Sequence, residues 1–225
     1  TGSEVGRVSV ITDEEKALKR LIFHPNMLPT IVLLDPELTL NLPPSLTAST
    51  GMDALSHNLE AFCSPADHPM ARGIAVEGCR LISENLLKAY KNGDNIEARG
   101  RMLIASTMGA TSFQRGLGAM HALAHSIGGI FDSHHGTLNA ILIPYVLAIN
   151  RYKIEKDIEY LSMCLGLTST FDSFLNWVLL LREELDIPHK LSEIGLSKKA
   201  SQIMGKTAEK DPSAFTNPII LGAED

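Results

Sequence analysis

From Pro44 onward, apolar residues recur at helical spacings of three and four; before Pro44 they do not. Met52, Leu55, Leu59 and Phe62 form one such stripe, and Met120, Leu123 and Ile127 another. Between them the pattern predicts helices over Pro69–Tyr90, closed by Asn92-Gly93, and over Asn95 to about Phe113, where Ala105, Ser106, Gly109 and Ala110 allow close packing. The run from Thr137 to Ile149 is so apolar that it reads as buried despite Pro144. Further helices are expected over Ile154–Leu165, ending at Gly166, over Thr170–Leu185 with Trp177 as a core residue, and from Lys198 to about Lys210 with Ser197 as cap. The lead-in differs. Val5–Thr12 is rich in β-formers and Thr30–Leu34 is a short apolar run, with turns expected at Asp13-Glu14 and Pro25-Asn26. Two or three strands do not make a stable sheet alone. The expected architecture is mainly α, a helical domain over residues 45–225 behind a β-containing segment over 1–44.

Composition narrows the function classes little. The chain has 225 residues, enough for a sizeable core, and 44% of them are apolar. A formal net charge of −6 argues against nucleic acid as a partner, and no apolar run reaches the length of a membrane span. Cys63, Cys79 and Cys164 are odd in number and show no CxxC spacing, so they read as reduced core thiols of a cytoplasmic protein.

Two stretches carry candidate chemistry. In GLGAMHALAHSIGGIFDSHHG, from Gly116 to Gly136, His121 and His125 are four apart and share a helix face roughly opposite the apolar stripe. Gly128 and Gly129 are expected to stop that helix, with His134 and His135 in the next turn. In TGMDALSHNLEAF, from Thr50 to Phe62, Asp53 and His57 repeat the design. Two such helices facing each other would bring a carboxylate and imidazoles onto one divalent transition metal, ferrous iron or zinc. Solvated helix faces with loop histidines are the alternative. No adjacent His-Asp pair of the HD-type phosphohydrolases and no HExxH is present. His24, His68 and His189 lie at or near prolines and read as exposed turns, and His134 as loop.

These residues resemble the iron-containing (group III) alcohol dehydrogenases, whose fold is dehydroquinate synthase-like. The resemblance rests on TGSE from Thr1, LDPELTLNLPP from Leu34, TGMDALSH from Thr50, GLGAMHALAH from Gly116, HHGTLNAILIPYV from His134 and LREELDIPHKLSEIGL from Leu181. It implies a metal held by Asp53, His57, His121 and His135, and reversible hydride transfer between an alcohol and NAD or NADP to give an aldehyde or ketone. It implies cofactor contacts from Thr1, Val8 and Lys19, and an oligomer of identical chains. It also implies that residues 1–44 are the last strands of a Rossmann-like dinucleotide-binding domain. No GxGxxG or triple-glycine turn occurs in the chain, so a fragment that is inactive by itself is expected.

His125 is the spare imidazole on the ligand face, either a catalytic proton relay or a group that only buttresses the site. Lys19 alone would read as a solvated charge. Two other functions remain open from the residues: a zinc-dependent polyol dehydrogenase of the same superfamily, and a non-catalytic helical metal-binding domain.

Overall fold

The structure is a computed structural model that describes residues 2–6, 8–13, 18–197 and 201–225; the side chains of Thr12, Leu18, Lys19, Ser201 and Gln202 are outside that description. Seven helices dominate the described residues: α1 (Pro44–Cys63), α2 (Pro69–Lys91), α3 (Ile96–Ser112), α4 (Ala119–Phe131), α5 (His135–Cys164), α6 (Phe171–Glu184) and α7 (Ser201–Ala208). One antiparallel hairpin precedes them, β1 (Val8–Asp13) with β2 (Leu18–Phe23), in a register that pairs Val8 with Phe23 and Thr12 with Lys19. The mainly helical expectation holds.

Side-chain caps fix the helix starts. His68 accepts from Ala71 N–H, Asn95 from Ala98 N–H and Thr170 from Ser173 N–H, and each satisfies one donor that the helix itself leaves unpaired. α1 packs against α2, α3 and α5. It is buried on nearly every face from Thr47 to Cys63, so its polar side chains meet other helices rather than water. The main core gathers Met52, Leu55, Leu59 and Phe62 of α1 with Ile82, Leu86, Ile127, Leu138 and Ile141. Trp177 is only partly buried and flanks that core.

Four expectations change. Thr30–Leu34 forms no strand among the described residues, and Ile31 and Leu33 are exposed. An apolar strand needs a neighbour to become part of a sheet. Gly128 and Gly129 lie inside α4, which ends at Asp132 in the left-handed region (φ 51°). A helical glycine costs only about 1 kcal/mol, less than the packing on either side of it supplies. The two helices expected between Thr137 and Leu165 are one helix of 30 residues. Pro144 leaves that helix short of one N–H, and the buried Arg182 guanidinium of α6 donates to the nearby Ile141 carbonyl at 3.1 Å. The last helix ends at Ala208, before the expected Lys210; its expected first residues, Lys198 to Ala200, lie outside the described residues.

Candidate metal centre

The polar faces of α1, α4 and α5 converge. One ligand-type atom from each of Asp53, His57 and His121 lies within 4.8 Å of the others, and all three residues are buried. The rings of His57 and His121 stack with centroids 4.6 Å apart. His135, the first residue of α5, stands at the open side: its Nε2 is 3.5 Å from Asp53 Oδ1 and its side chain is 39% exposed. The approach of α5 to α1 depends on Gly136, where a Cβ would collide with the Ser49 carbonyl and crowd Asp53. His134, expected in a loop, caps α5 instead by accepting from Thr137 N–H.

Two further residues complete the cluster. Glu60 of α1 accepts from the N–H groups of Gly118 (2.8 Å) and Met120 (2.7 Å), and its Oε2 lies 2.7 Å from His121 Nδ1. It thus caps α4 and turns His121 so that Nε2 faces Asp53, 3.9 Å away. Asn139 donates from Nδ2 to Asp53 Oδ1 at 2.7 Å, and that nitrogen is also 3.2 Å from Nε2 of both His121 and His135. Both residues escaped the sequence reading, although signals existed. Glu60 follows Asp53 and His57 at the i+7 position of one face, and Asn139 is a lone amide in an apolar run, four after His135.

Burial makes the imidazoles ready ligands. It pushes His57 below the ordinary histidine range, His121 well below it, and His135 down to about 4, so all three keep free lone pairs at neutral pH. Burial acts to raise Asp53, but the facing imidazoles of His57, His135 and His121 and the Asn139 amide outweigh it, and the carboxyl titrates below its usual value. Burial raises Glu60 to about 7 against the pull of the α4 N–H groups.

This set fits a dication. Asp53 is a buried anion, and among the described residues no Lys or Arg pairs with it. Nδ1 of His57 is buried with no hydrogen-bond partner. A buried carboxylate with no Lys or Arg partner attracts a cation, and one oxygen with several imidazole nitrogens suits a transition metal.

His125 lies beside the cluster. Its ring stacks on that of His135, with centroids 5.3 Å apart and planes 12° from parallel, and its Nδ1 is 3.0 Å from Asp211 Oδ2. β2 packs on α4, which brings the hairpin with the half-buried Val8 to the imidazole helix. Lys19 is in β2, its side chain undescribed, and Thr1 lies outside the described residues. The residues after Thr1, Gly2 to Glu4, are pinned to α3. Gly2 adopts φ 79° with the Ser106 carbonyl and Ala110 Cβ where a side chain would go, and Glu4 accepts from the Thr107 hydroxyl at 2.6 Å.

Comparison with known proteins gives the same direction. The profile described as Fe-containing alcohol dehydrogenase family, C-terminal, matches residues 47–225. Alcohol dehydrogenase 4 of Saccharomyces cerevisiae is 35% identical over 223 residues, covering 97% of this chain and 58% of its own length. The NAD-dependent methanol dehydrogenase of Bacillus methanolicus is 33% identical over 233 residues, covering 100% and 61%. A crystal structure of 1,3-propanediol oxidoreductase superposes with a TM-score of 0.95 at 33% identity, over 100% of this chain and 61% of that one. The chain therefore spans about three fifths of the length of these relatives. With the profile matched over most of its length, the chain belongs to the Fe-containing alcohol dehydrogenase family.

Proposed function

We propose that this chain is the metal-binding part of an NAD(P)-dependent alcohol dehydrogenase, which transfers hydride reversibly between an alcohol and the nicotinamide and yields an aldehyde or ketone. The observation that carries the reading is the convergence of Asp53, His57 and His121 in a buried space open on one side at His135. We assign the ligands as these four residues and the metal as Fe(II), with zinc as the alternative. A dication held there supplies Lewis acidity, which lowers the pKa of an alcohol and polarises a carbonyl.

The chain's own residues do the rest. Asp53 offsets part of the charge, and Glu60 and Asn139 hold the ligand atoms in place. His125, stacked on His135 at the open side, takes or returns the proton. Thr1, Val8 and Lys19 form part of the cofactor rim. Residues 1–44 are read as the cofactor side and 45–225 as the metal side. The exposure of Phe23, Ile31, Leu33 and Leu38 supports this, since a further apolar layer would cover them. NAD use is supported by the Bacillus methanolicus relative, an NAD-dependent methanol dehydrogenase. The buried free thiols of Cys63 and Cys79 favour a reducing compartment, the cytoplasm.

The test has two parts. The chain is titrated with Fe(II) under anaerobic conditions and with Zn(II); about one equivalent should bind. A polypeptide that adds the region its relatives have beyond this chain is then loaded with each metal and assayed for NAD(P)H formation over a panel of alcohols. Metal binding without turnover on any alcohol would leave a metal-binding domain and overturn the dehydrogenase reading.

A further inference from the structure

Asp211 lies in the turn after α7, far along the chain from the metal helices, and its two carboxylate oxygens have different partners. Oδ1 accepts the Ser213 N–H at 2.8 Å and caps the short turn Pro212–Thr216. Oδ2 faces His125 Nδ1 at 3.0 Å, with both side chains close to nine-tenths buried. Six residues later, Asn217 accepts the Ala119 N–H at 3.1 Å and exchanges hydrogen bonds with Asn150 of α5. The segment from Asp211 to Asn217 thus holds α4 at its first turn and again at His125.

A neutral imidazole carries one N–H, and the partner of one nitrogen decides which nitrogen that is. An ionised carboxylate can only accept. Oδ1 accepts the Ser213 N–H and Oδ2 is left facing Nδ1, so the carboxylate meets the ring as an acceptor. Stacking on His135 fixes the plane of the ring, and the carboxylate fixes which edge is turned to which side.

We infer that Asp211 is a positioning residue that locks His125 in the Nδ1–H tautomer, leaving Nε2 as its free proton acceptor beside the metal centre. The inference rests on the reading of His125 as the proton relay. The competing role for Asp211 is the turn cap alone.

Asp211→Asn separates the two roles. Ser213 N–H still needs an acceptor, so the amide oxygen stays on the cap and the NH2 group is turned towards His125 Nδ1. A donor there forces Nδ1 to accept and moves the ring proton to Nε2. The experiment is a long-range 1H–15N correlation spectrum of the 15N-labelled chain saturated with Zn(II), which reports the tautomer of each histidine; His125→Gln identifies the His125 signals. Wild type should show protonated Nδ1 at His125, and Asp211→Asn should show protonated Nε2, with Zn(II) affinity and thermal midpoint nearly unchanged. In the longer, active polypeptide the same variant should lower kcat roughly 10- to 100-fold, part of the range for general acid–base catalysis, with little change in KM. An Nε2–H tautomer in wild type, or an unchanged tautomer in Asp211→Asn, would overturn the inference. If Asp211→Asn and Asp211→Ala lower the thermal midpoint alike while the tautomer stays, Asp211 is only a cap. A tautomer that moves as expected in a protein that oxidises no alcohol would instead refute the dehydrogenase reading and leave the positioning intact.

Discussion

Glu60 Oε2 lies 2.7 Å from His121 Nδ1, and the same carboxylate closes the first turn of α4. One side chain therefore links helix formation to ligand orientation. Glu60→Ala should leave the Gly118 and Met120 N–H groups and the His121 ring nitrogen without protein partners. Each buried orphan costs about 1–3 kcal/mol, so a stability loss of several kcal/mol is expected by urea denaturation. Glu60→Gln keeps the volume and one acceptor oxygen. It should cost less stability but weaken Zn(II) binding by roughly 10- to 100-fold, the usual effect of losing the group that orients a metal-binding histidine. Unchanged Zn(II) affinity in Glu60→Gln would mean that Glu60 serves only the helix.

The four proposed ligands should not be equivalent. Asp53, His57 and His121 are buried within one tight group, whereas His135 is partly exposed at its edge. Asp53→Ala removes the anion that makes a dication welcome, and should abolish measurable Fe(II) or Zn(II) uptake. His135→Ala removes one rim ligand, and should raise the metal Kd by orders of magnitude while leaving the metal-free fold nearly as stable as before. Elemental analysis after equilibrium dialysis reads the first effect and competitive titration with a chelator the second. Wild-type occupancy in both variants would dismantle the proposed ligand set.

Acid should destabilise the metal-free chain in a defined direction. Burial holds His57 and His121 below the free-histidine value of 6.5 in the fold, so the unfolded chain takes up their protons first. The stability they contribute is complete above about pH 6.5 and is lost as pH falls. Glu60 acts the opposite way: raised from 4.5 to about 7, its contribution is complete below 4.5 and is lost as pH rises through 7. Between pH 4.5 and 6.5 His57, His121 and His135, the last held down to about 4, together outweigh Glu60, so unfolding takes up protons and stability falls as pH falls. Urea midpoints should therefore fall from pH 6.5 to pH 5. A midpoint that rises over this interval would contradict the assignment of neutral, buried imidazoles.

What the sequence disclosed and what it hid follow physical lines. Asp53 with His57, and His121 with His125, were visible because a four-residue spacing on a helix is a local fact. Their convergence needed three helices, and there the apolar stripes misled slightly. The faces opposite Met52 and Met120 do not meet water; they meet each other, which is why α1 is buried almost all round. Glu60 and Asn139 carried signals of position, but a single polar residue on a helix is ordinarily solvated, and burial is what gives these two their meaning. Gly128-Gly129 read as a stop because propensity is local, whereas the packing that carries α4 through them is not. Asp211 had no local signal: it reaches His125 across 86 residues of chain. Thr30–Leu34 has strand chemistry but no paired strand, and chemistry alone does not supply one.

Gly136 gives the sharpest test of how the fold sets the site. It follows His135 directly and lies where α5 passes close to α1, facing the Ser49 carbonyl and Asp53 Cβ. The backbone there is helical, so alanine is conformationally acceptable and even favoured by helix propensity. The obstacle is space. A methyl group would meet main-chain oxygen, which cannot rotate away as a side chain can, so α5 must shift outward. Forcing extra volume into a packed contact costs about 1–3 kcal/mol. The same shift would carry His135 and Asn139 away from Asp53, since both project from the first turns of α5. Gly136→Ala is therefore expected to weaken Zn(II) binding more than its stability loss alone suggests, with a Kd raised by roughly 10-fold or more, the scale seen when groups that orient metal ligands are lost. Thermal denaturation and chelator competition on the same preparation separate the two effects. A stability loss with unchanged Zn(II) affinity would show that the α1–α5 approach does not govern the ligand geometry.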